Sequence, residues 1–159
     1  MGAVWDEIAS TPKVAWLDET TYNTLSEAVR AQLGDAGTIE LYRRVGRRLL
    51  ANPHFQSFVE TALKVFGVSP HAVLKIVPRG RESVVRSSGQ LTYSKVDTRS
   101  ACLKLVGFPV STFSKGTTVL LLVGTFLGVL DAANAGDAAK LETADVDLQS
   151  GSATFKLSW

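Results

Sequence analysis

TTVLLLVGTFLGVL, residues Thr117–Leu130, is the stretch that decides the fold, because no charged residue interrupts it. The turn Ala132-Ala-Asn-Ala-Gly136 follows it. Two segments in which apolar and polar residues alternate come next, joined at Gln149-Ser-Gly-Ser152. A helix too apolar for the surface is thus followed by a β-hairpin, which predicts an α+β domain whose core is a helix lying on a sheet.

The rest of the chain fits this architecture. Apolar spacing and glycine or proline stops predict helices at Thr20 or Thr21 to Gln32, Thr38–Ala51, Pro53–Phe66 and Pro70–Val77, the last interrupted by Pro78 and Gly80. Period-2 segments predict strands at Leu91–Val96, Ala101–Phe108, Lys140–Leu148 and Ala153–Ser158, with Ser111 or Ser114 capping the central helix. The fold class is therefore α+β, with N-terminal helices on a four-stranded antiparallel sheet of two hairpins joined by a buried helix. We expect one domain over residues 1–159, with 1–37 as an N-terminal helical extension and 38–159 as helices plus sheet.

The composition of the chain limits the classes of protein to which it can belong. The chain has 159 residues and a single cysteine, Cys102, so an internal disulfide and an all-cysteine metal cage are excluded. Its N-terminus lacks the basic start of a signal peptide. The uncharged run Gly116–Leu130 is shorter than the about 20 residues that a bilayer crossing needs. We therefore expect a cytoplasmic protein without a membrane span.

Charge is unevenly distributed along the chain. The net charge is +2, but residues 1–60, 61–116 and 117–159 carry −2, +7 and −3. A basic middle between acidic ends suits an anionic ligand or an acidic protein partner. The excess is too small to require nucleic acid, and we predict none.

The second half resembles a known superfamily. The residues that carry the likeness are Gly124-Thr-Phe-Leu-Gly128-Val-Leu and the ending Ser150-Gly-Ser-Ala-Thr-Phe155-Lys-Leu-Ser-Trp159. They resemble four-vinyl-reductase-like domains, haem–nitric-oxide sensor domains, phenol-sensing domains of bacterial activators and core subunits of the TRAPP vesicle-tethering complex. Tyr42-Arg-Arg-Val-Gly46-Arg-Arg and Pro70–Gly80 look closest to a family of paralogous small proteins from myxobacteria with no assigned activity.

This resemblance implies a ligand between sheet and helices: a haem, an aromatic effector or an acyl chain. The chain differs from these families at the positions that hold their cofactors. The cysteine sets of four-vinyl-reductase-like domains are missing, and Tyr93-Ser94-Lys95 does not match the Tyr-x-Ser-x-Arg clamp of haem sensors. We therefore expect neither haem nor metal, and no cofactor. The resemblance places a hydrophobic small molecule against the residues at the strand–helix junction, namely Tyr93, Cys102, Phe108, Phe113 and Phe126.

Two helical surfaces point to protein contacts. At 100° per residue, Arg43, Arg44, Arg47 and Arg48 share one arc of their helix, while Leu41, Tyr42, Val45, Leu49, Leu50 and Gly46 share the other. Four arginines repel one another, which favours an acidic partner, although a solvated face is the simpler interpretation. Gly124 and Gly128, spaced GxxxG, allow a neighbouring helix to approach closely, either within one subunit or between subunits. The relatives pair through helices, so we predict a homodimer that leaves the arginines outside.

Catalytic constellations are missing from the sequence. His54 and His71 each stand beside a proline in the first turn of a helix, where a neutral surface role is expected. Asp145 and Asp147 share one, solvated, strand face. No catalytic residue is predicted and an enzyme ranks third. Two functions stay open: a non-enzymatic ligand-binding or sensory module with an apolar pocket, and a protein-interaction module with a solid core.

Overall fold

The computed structural model of the chain describes residues 18–49, 69–84, 89–113, 115–133, 135 and 138–159. The helices are α1 (Glu19–Leu49), α2 (Pro70–Val84), α3 (Val110–Phe113) and α4 (Thr117–Ala132). The strands are β1 (Gln90–Lys95), β2 (Ser100–Val106), β3 (Lys140–Asp147) and β4 (Ser152–Ser158). The α+β class, the antiparallel sheet of two hairpins and the apolar helix between them are confirmed. The helix expected at Pro53–Phe66 and its His54 lie outside the described residues.

The sheet has the strand order β1-β2-β4-β3, and all three pairings are antiparallel. Side chains alternate between its faces, so Ala101, Leu103 and Leu105 of β2 are buried under the helices. On β4 the buried set is Ala153, Phe155 and Leu157. The register Leu103↔Phe155 aligns the two buried rows, which form the floor of the core.

Helix α4 is the middle layer of the molecule. Phe126, Val129 and Leu130 point to the sheet and are at most 2% exposed. Gly124 and Gly128 lie on the opposite side of the same helix, because residues separated by four positions share a face. That side faces α1, so the order of layers is α1, α4, sheet.

Helix α1 breaks at Gly34, where the backbone adopts φ 67° and ψ 179°. The positive φ costs glycine little, which is why the expected stop at this residue is confirmed. The helix then resumes at once, without the separate helix start expected at Thr38. Arg30 spans the break, since its guanidinium pairs with Asp35 (2.7 Å) and donates to the Lys115 carbonyl (2.9 Å).

Two expected helix caps differ from those in the structure. Asp18, not Thr20 or Thr21, caps α1, accepting from the Thr21 amide at 2.9 Å. Gly116, with φ 73°, is the N-cap of α4 and makes no side-chain cap hydrogen bond, while Ser111 lies in α3 and Ser114 lies outside the described residues. These errors arise because neighbouring Asp, Ser and Thr residues are equally good cap candidates in a sequence.

Pro78 does not interrupt α2, which continues to Val84. The missing proline amide removes one helical hydrogen bond. Contacts beyond Pro78 offset that loss. Arg81 lies over the Phe108 ring at 5.5 Å and donates to the Gly89 carbonyl at 3.1 Å.

The backbones of α1 and α4 are in close contact. A Cβ atom on Gly128 would lie 2.8 Å from the Arg47 amide nitrogen, and closer still to the Arg43 carbonyl oxygen. A Cβ on Gly124 would meet Tyr42 Cβ at 2.8 Å, and one on Gly46 would meet Gly128 Cα at 3.1 Å. The GxxxG spacing thus serves packing within one chain, which was one of its two interpretations.

We expect Gly128→Ala to destabilise the protein by about 1–3 kcal/mol, although alanine is the better helix former. The added methyl group would strike α1 backbone, which cannot rotate away as a side chain can. Urea unfolding followed by circular dichroism measures the change. Ala132→Ser on the exposed end of α4 is the control, and equal stability of Gly128→Ala and wild type would contradict the packing.

Candidate functional site

Aromatic rings fill the space between α4 and the sheet. Phe126 meets Phe155 edge to face, with ring centroids 5.2 Å apart, and Phe108 meets Phe113 at 5.7 Å. Phe113 and Phe155 are 0% exposed, while Phe108, at the margin, is 8% exposed. We call these four rings the aromatic layer.

The structure brings together four of the five residues expected to line a pocket. Phe108, Phe113 and Phe126 belong to the aromatic layer, and Tyr93 lies beside it on the same sheet face as Leu103, its partner in the register. Cys102, which the sequence interpretation placed in the pocket lining, lies elsewhere. It alternates with the buried Ala101 and Leu103, so its thiol lies on the outer face of the sheet.

His71 holds Tyr93 in place. The Asp97 carbonyl lies 2.8 Å from Nε2 and can only accept, so Nε2 carries the proton. In the neutral ring Nδ1 then accepts from the Tyr93 hydroxyl, also at 2.8 Å. The Trp159 ring completes the contact at 4.7 Å. His71 is therefore a half-buried positioning residue and not the surface residue expected from its place beside Pro70.

A half-buried polar cluster, which sequence reasoning missed, lies among the helices. Tyr22 and Tyr42 come from the two arms of α1, and hydrogen bonding with the Ser26 side chain lowers the pKa of both phenols by less than burial raises it. Burial raises the pKa of Tyr22 to about 12 and also raises the pKa of Tyr42. Arg81 approaches from α2, and burial lowers the pKa of its guanidinium. Since Arg81 also covers Phe108, this Tyr–Arg cluster borders the aromatic layer.

No local sequence signal marks the Tyr–Arg cluster. Its two tyrosines belong to different arms of α1, and only the direction that the chain takes after Gly34 brings the arms together. Ser26 gives no further hint, because its hydroxyl also donates to the Tyr22 carbonyl at 2.8 Å in the ordinary helical manner.

The arginine face is not the uncompensated surface that the sequence indicated. Arg43 forms a two-point ion pair with Asp131 of α4, both contacts being 2.6 Å, and Arg47 reaches the same carboxylate at 3.1 Å. Arg44 pairs with Glu40 at 3.2 Å. Arg48 is exposed. The expectation that these arginines lack a nearby acid is thus wrong for Arg43, Arg44 and Arg47, and Arg43 and Arg47 help to hold α1 against α4. Their docking of an acidic partner stays a prediction.

The side of α1 that contacts α4 is not the apolar arc that the sequence predicted. Gly46 and Arg43 face α4, whereas Leu41 and Val45 are 36% and 41% exposed. Close backbone approach at glycine, not the apolar arc, decides which side of α1 is buried.

Two further expectations concern metals and membranes. In the described ranges, no three His, Cys, Asp or Glu side chains are grouped so that they could hold a metal ion. None of the described helices combines the length and apolar character that a membrane crossing requires.

Comparison with known proteins finds no matching family model and no matching curated protein. Solved structures do match. A Cs H-NOX mutant carrying 4-cyano-L-phenylalanine is 13% identical, with a TM-score of 0.59, over 98% of this chain and 82% of that one. An oxygen-binding H-NOX domain related to soluble guanylate cyclases is 14% identical, with a TM-score of 0.56, over 92% and 73%. A structure described as giving insights into the molecular mechanism of H-NOX activation is 15% identical, with a TM-score of 0.51, over 92% of this chain and 74% of that one.

The chain therefore shares the fold of H-NOX domains. At this level of identity the likeness concerns the fold alone. It confirms the haem–nitric-oxide-sensor part of the sequence resemblance as a resemblance of fold. The likeness to the other families stays a prediction.

Asp131→Asn should lower the free energy of unfolding by about 1–3 kcal/mol at neutral pH, because it removes the charge-assisted pair with Arg43. The hydrogen bond from Arg43, together with the charges of Arg43 and Arg47, lowers the pKa of Asp131 below its usual 3.8. This stabilisation is complete above that value and is lost as pH falls through the lower folded-state pKa.

Urea titrations at neutral and acidic pH measure this contribution. The difference between wild type and Asp131→Asn should shrink in acid. Glu40→Gln, which removes an exposed partner of Arg44, should change stability little. A difference independent of pH would contradict the proposed role of the ion pair.

All three tyrosines should titrate late in the folded protein, because burial raises the pKa of Tyr22, Tyr42 and Tyr93. The neutral phenols contribute stability that is complete below the unfolded value of 10 and is lost as pH rises toward about 12. Phenolate absorbance against pH, compared between folded and urea-unfolded protein, measures this shift. Tyr22→Phe should remove the component that titrates last, and superimposed folded and unfolded curves would contradict the burial.

Proposed function

We propose that the chain is a non-enzymatic sensory module that binds a small apolar molecule between its helices and its sheet. The observation that carries the proposal is the fold, shared over 98% and 92% of the chain with two H-NOX domains, one of them described as oxygen binding. The polar groups beside the aromatic layer favour binding over catalysis, because His71 and Tyr93 are engaged with each other.

Haem, which the fold family implies, does not fit the described residues. His71 is the histidine among them, and both of its ring nitrogens have partners within the protein. Coordination of iron through Nδ1 or Nε2 would break one of those hydrogen bonds and separate the ring from Trp159. The proposed ligand is therefore an apolar molecule other than haem.

The margin of the aromatic layer at Phe108 is the best-supported place for the ligand. Phe108 is its most exposed ring, and Arg81 lies across it. A molecule inserted there would contact Phe113 with its apolar body and place any polar group beside Arg81 and Tyr22. Pockets of this kind combine an apolar lining with a few oriented polar groups.

A second candidate is a protein-interaction module whose core is solid. It is favoured by the edge-to-face contact of Phe126 with Phe155, in which both rings already have protein partners. Leu41 and Val45, which are exposed on α1 beside Arg44, would then contact an acidic partner or a second subunit. The homodimer expected from the sequence belongs to this candidate and stays a prediction.

Mass spectrometry of small molecules released on denaturation separates the two functions. A ligand-binding module should release a defined apolar molecule, and Phe126→Ala should change its yield or the binding of a hydrophobic dye. A solid core should release nothing, and the same substitution should cost about 3–5 kcal/mol of stability. Val96→Ala on the exposed β1–β2 hairpin is the control. If wild type releases no molecule and Phe126→Ala alters neither dye binding nor yield, the ligand proposal fails.

A further inference from the structure

The guanidinium of Arg81 is fixed at the margin of the aromatic layer. It lies over the Phe108 ring at 5.5 Å, and its Nη1 donates to the Gly89 carbonyl at 3.1 Å. Arg81 also makes further interactions within the protein. The group is therefore held in place, and what it presents to a ligand is a fixed positive charge and not an idle donor.

The ring beneath this charge is held as well. The Phe108 amide donates to the Gly151 carbonyl in the β3–β4 turn at 2.9 Å, and the Phe108 ring meets Phe113 of α3. The positive charge and the apolar ring thus keep one relative position. A ligand that uses both does not have to order them on binding, which lowers the cost of association.

The charges around Arg81 leave this part of the molecule positive. Helix α2 carries Lys75, Arg79 and Arg81 against Glu82 as its acid. Glu82 is exposed, so water screens its attraction for Arg81. Tyr22 is a neutral phenol at physiological pH, because burial raises its pKa to about 12. Burial lowers the pKa of Arg81, although Tyr22 and Glu82 act in the opposite direction.

The position of Arg81 restricts the charge of any ligand at Phe108. A molecule that covers the ring also removes water from Arg81, because the guanidinium lies across that ring. A neutral molecule would leave the cation more poorly solvated, and a cationic molecule would be repelled. A carboxylate replaces the lost water with an opposite charge, and charge-assisted hydrogen bonds are the stronger ones. An anionic head group is therefore the one that offsets the cost of covering the ring.

We propose that the ligand of this module is a carboxylic acid with an apolar body, its carboxylate beside Arg81 and its body against Phe108. This inference rests on the proposed function, since it names the ligand class of the same site. One fixed cation at an apolar margin suits a singly charged carboxylate, whereas a phosphate monoester carries nearly two charges. The net positive charge of α2 favours the approach of an anion.

Two matched series of probes test the head group and the body separately. One consists of decanoate, decanol and decylammonium, and the other of phenylbutanoate, phenylbutanol and phenylbutylammonium. Isothermal titration calorimetry of the wild type at neutral pH measures their affinities. In at least one series the carboxylate should bind about tenfold more tightly than the alcohol, and the ammonium least tightly. The series that shows this preference distinguishes a fatty acid from an aromatic acid.

Two substitutions test whether Arg81 is the source of the preference. Arg81→Gln removes the charge but keeps an amide that can donate to the Gly89 carbonyl, whereas Arg81→Lys keeps the charge. The preference for the carboxylate should vanish in Arg81→Gln and survive in Arg81→Lys. Lys104→Gln, which removes an exposed cation from the outer face of the sheet, is the control and should bind like wild type. Circular dichroism checks that each variant is folded.

The outcomes separate this inference from the proposed function. If wild type binds the acid and the alcohol of each series equally, the carboxylate inference is overturned while the ligand-binding function stands. A preference that survives in Arg81→Gln also overturns the inference, because another group then produces it. If no probe of either series binds, the inference fails together with the proposed function. High salt should leave the preference in place, since a partly buried pair is screened much less than exposed charges.

Discussion

The backbones of α1 and α4 lie so close at Gly46, Gly124 and Gly128 that no Cβ atom fits between them, and the remaining architecture follows from this contact. With no side chain on that face, α4 can present Phe126, Val129 and Leu130 to the sheet while α1 covers its other side. An apolar helix in water needs both faces covered, and the glycines allow one helix and one small sheet to cover them. The same contact sets the rotation of α1, which leaves Leu41 and Val45 exposed.

Electrostatics secure the ends of this contact. Asp131 lies in the last turn of α4, where the helix dipole disfavours a carboxylate, and Arg43 with Arg47 offsets that cost from the neighbouring helix. At the other end, Arg30 binds the Lys115 carbonyl and the Thr117 hydroxyl at the start of α4 while pairing with Asp35 across the break. The arginines of α1 therefore act first within the fold.

The interior of the molecule has two chemically different parts. Between α4 and the sheet it is apolar and contains paired rings, whereas its polar part contains the half-buried phenols of Tyr22 and Tyr42 and the guanidinium of Arg81. The parts meet at Phe108, where Arg81 lies over the ring. This boundary is the place that the proposed ligand would occupy, where α2, α3 and the sheet come together.

The sequence by itself determined the elements that depend on neighbours along the chain. Period-2 alternation marked the two hairpins, the uncharged run marked α4, and Gly34 marked the break in α1, because each pattern reflects a local backbone requirement. The aromatic residues Phe108, Phe113 and Phe126 were also correctly assigned to the helix–sheet junction. Tertiary structure alone decided the rest, because it depends on which distant groups meet. Only the fold could show that Asp131 neutralises Arg43, that Cys102 lies on the outer face of the sheet, and that Tyr22 and Tyr42 converge on Ser26. These outcomes depend on the close approach of backbones at three glycines and on the direction of the chain after Gly34. Neither can be deduced from the periodicity of residues along the chain.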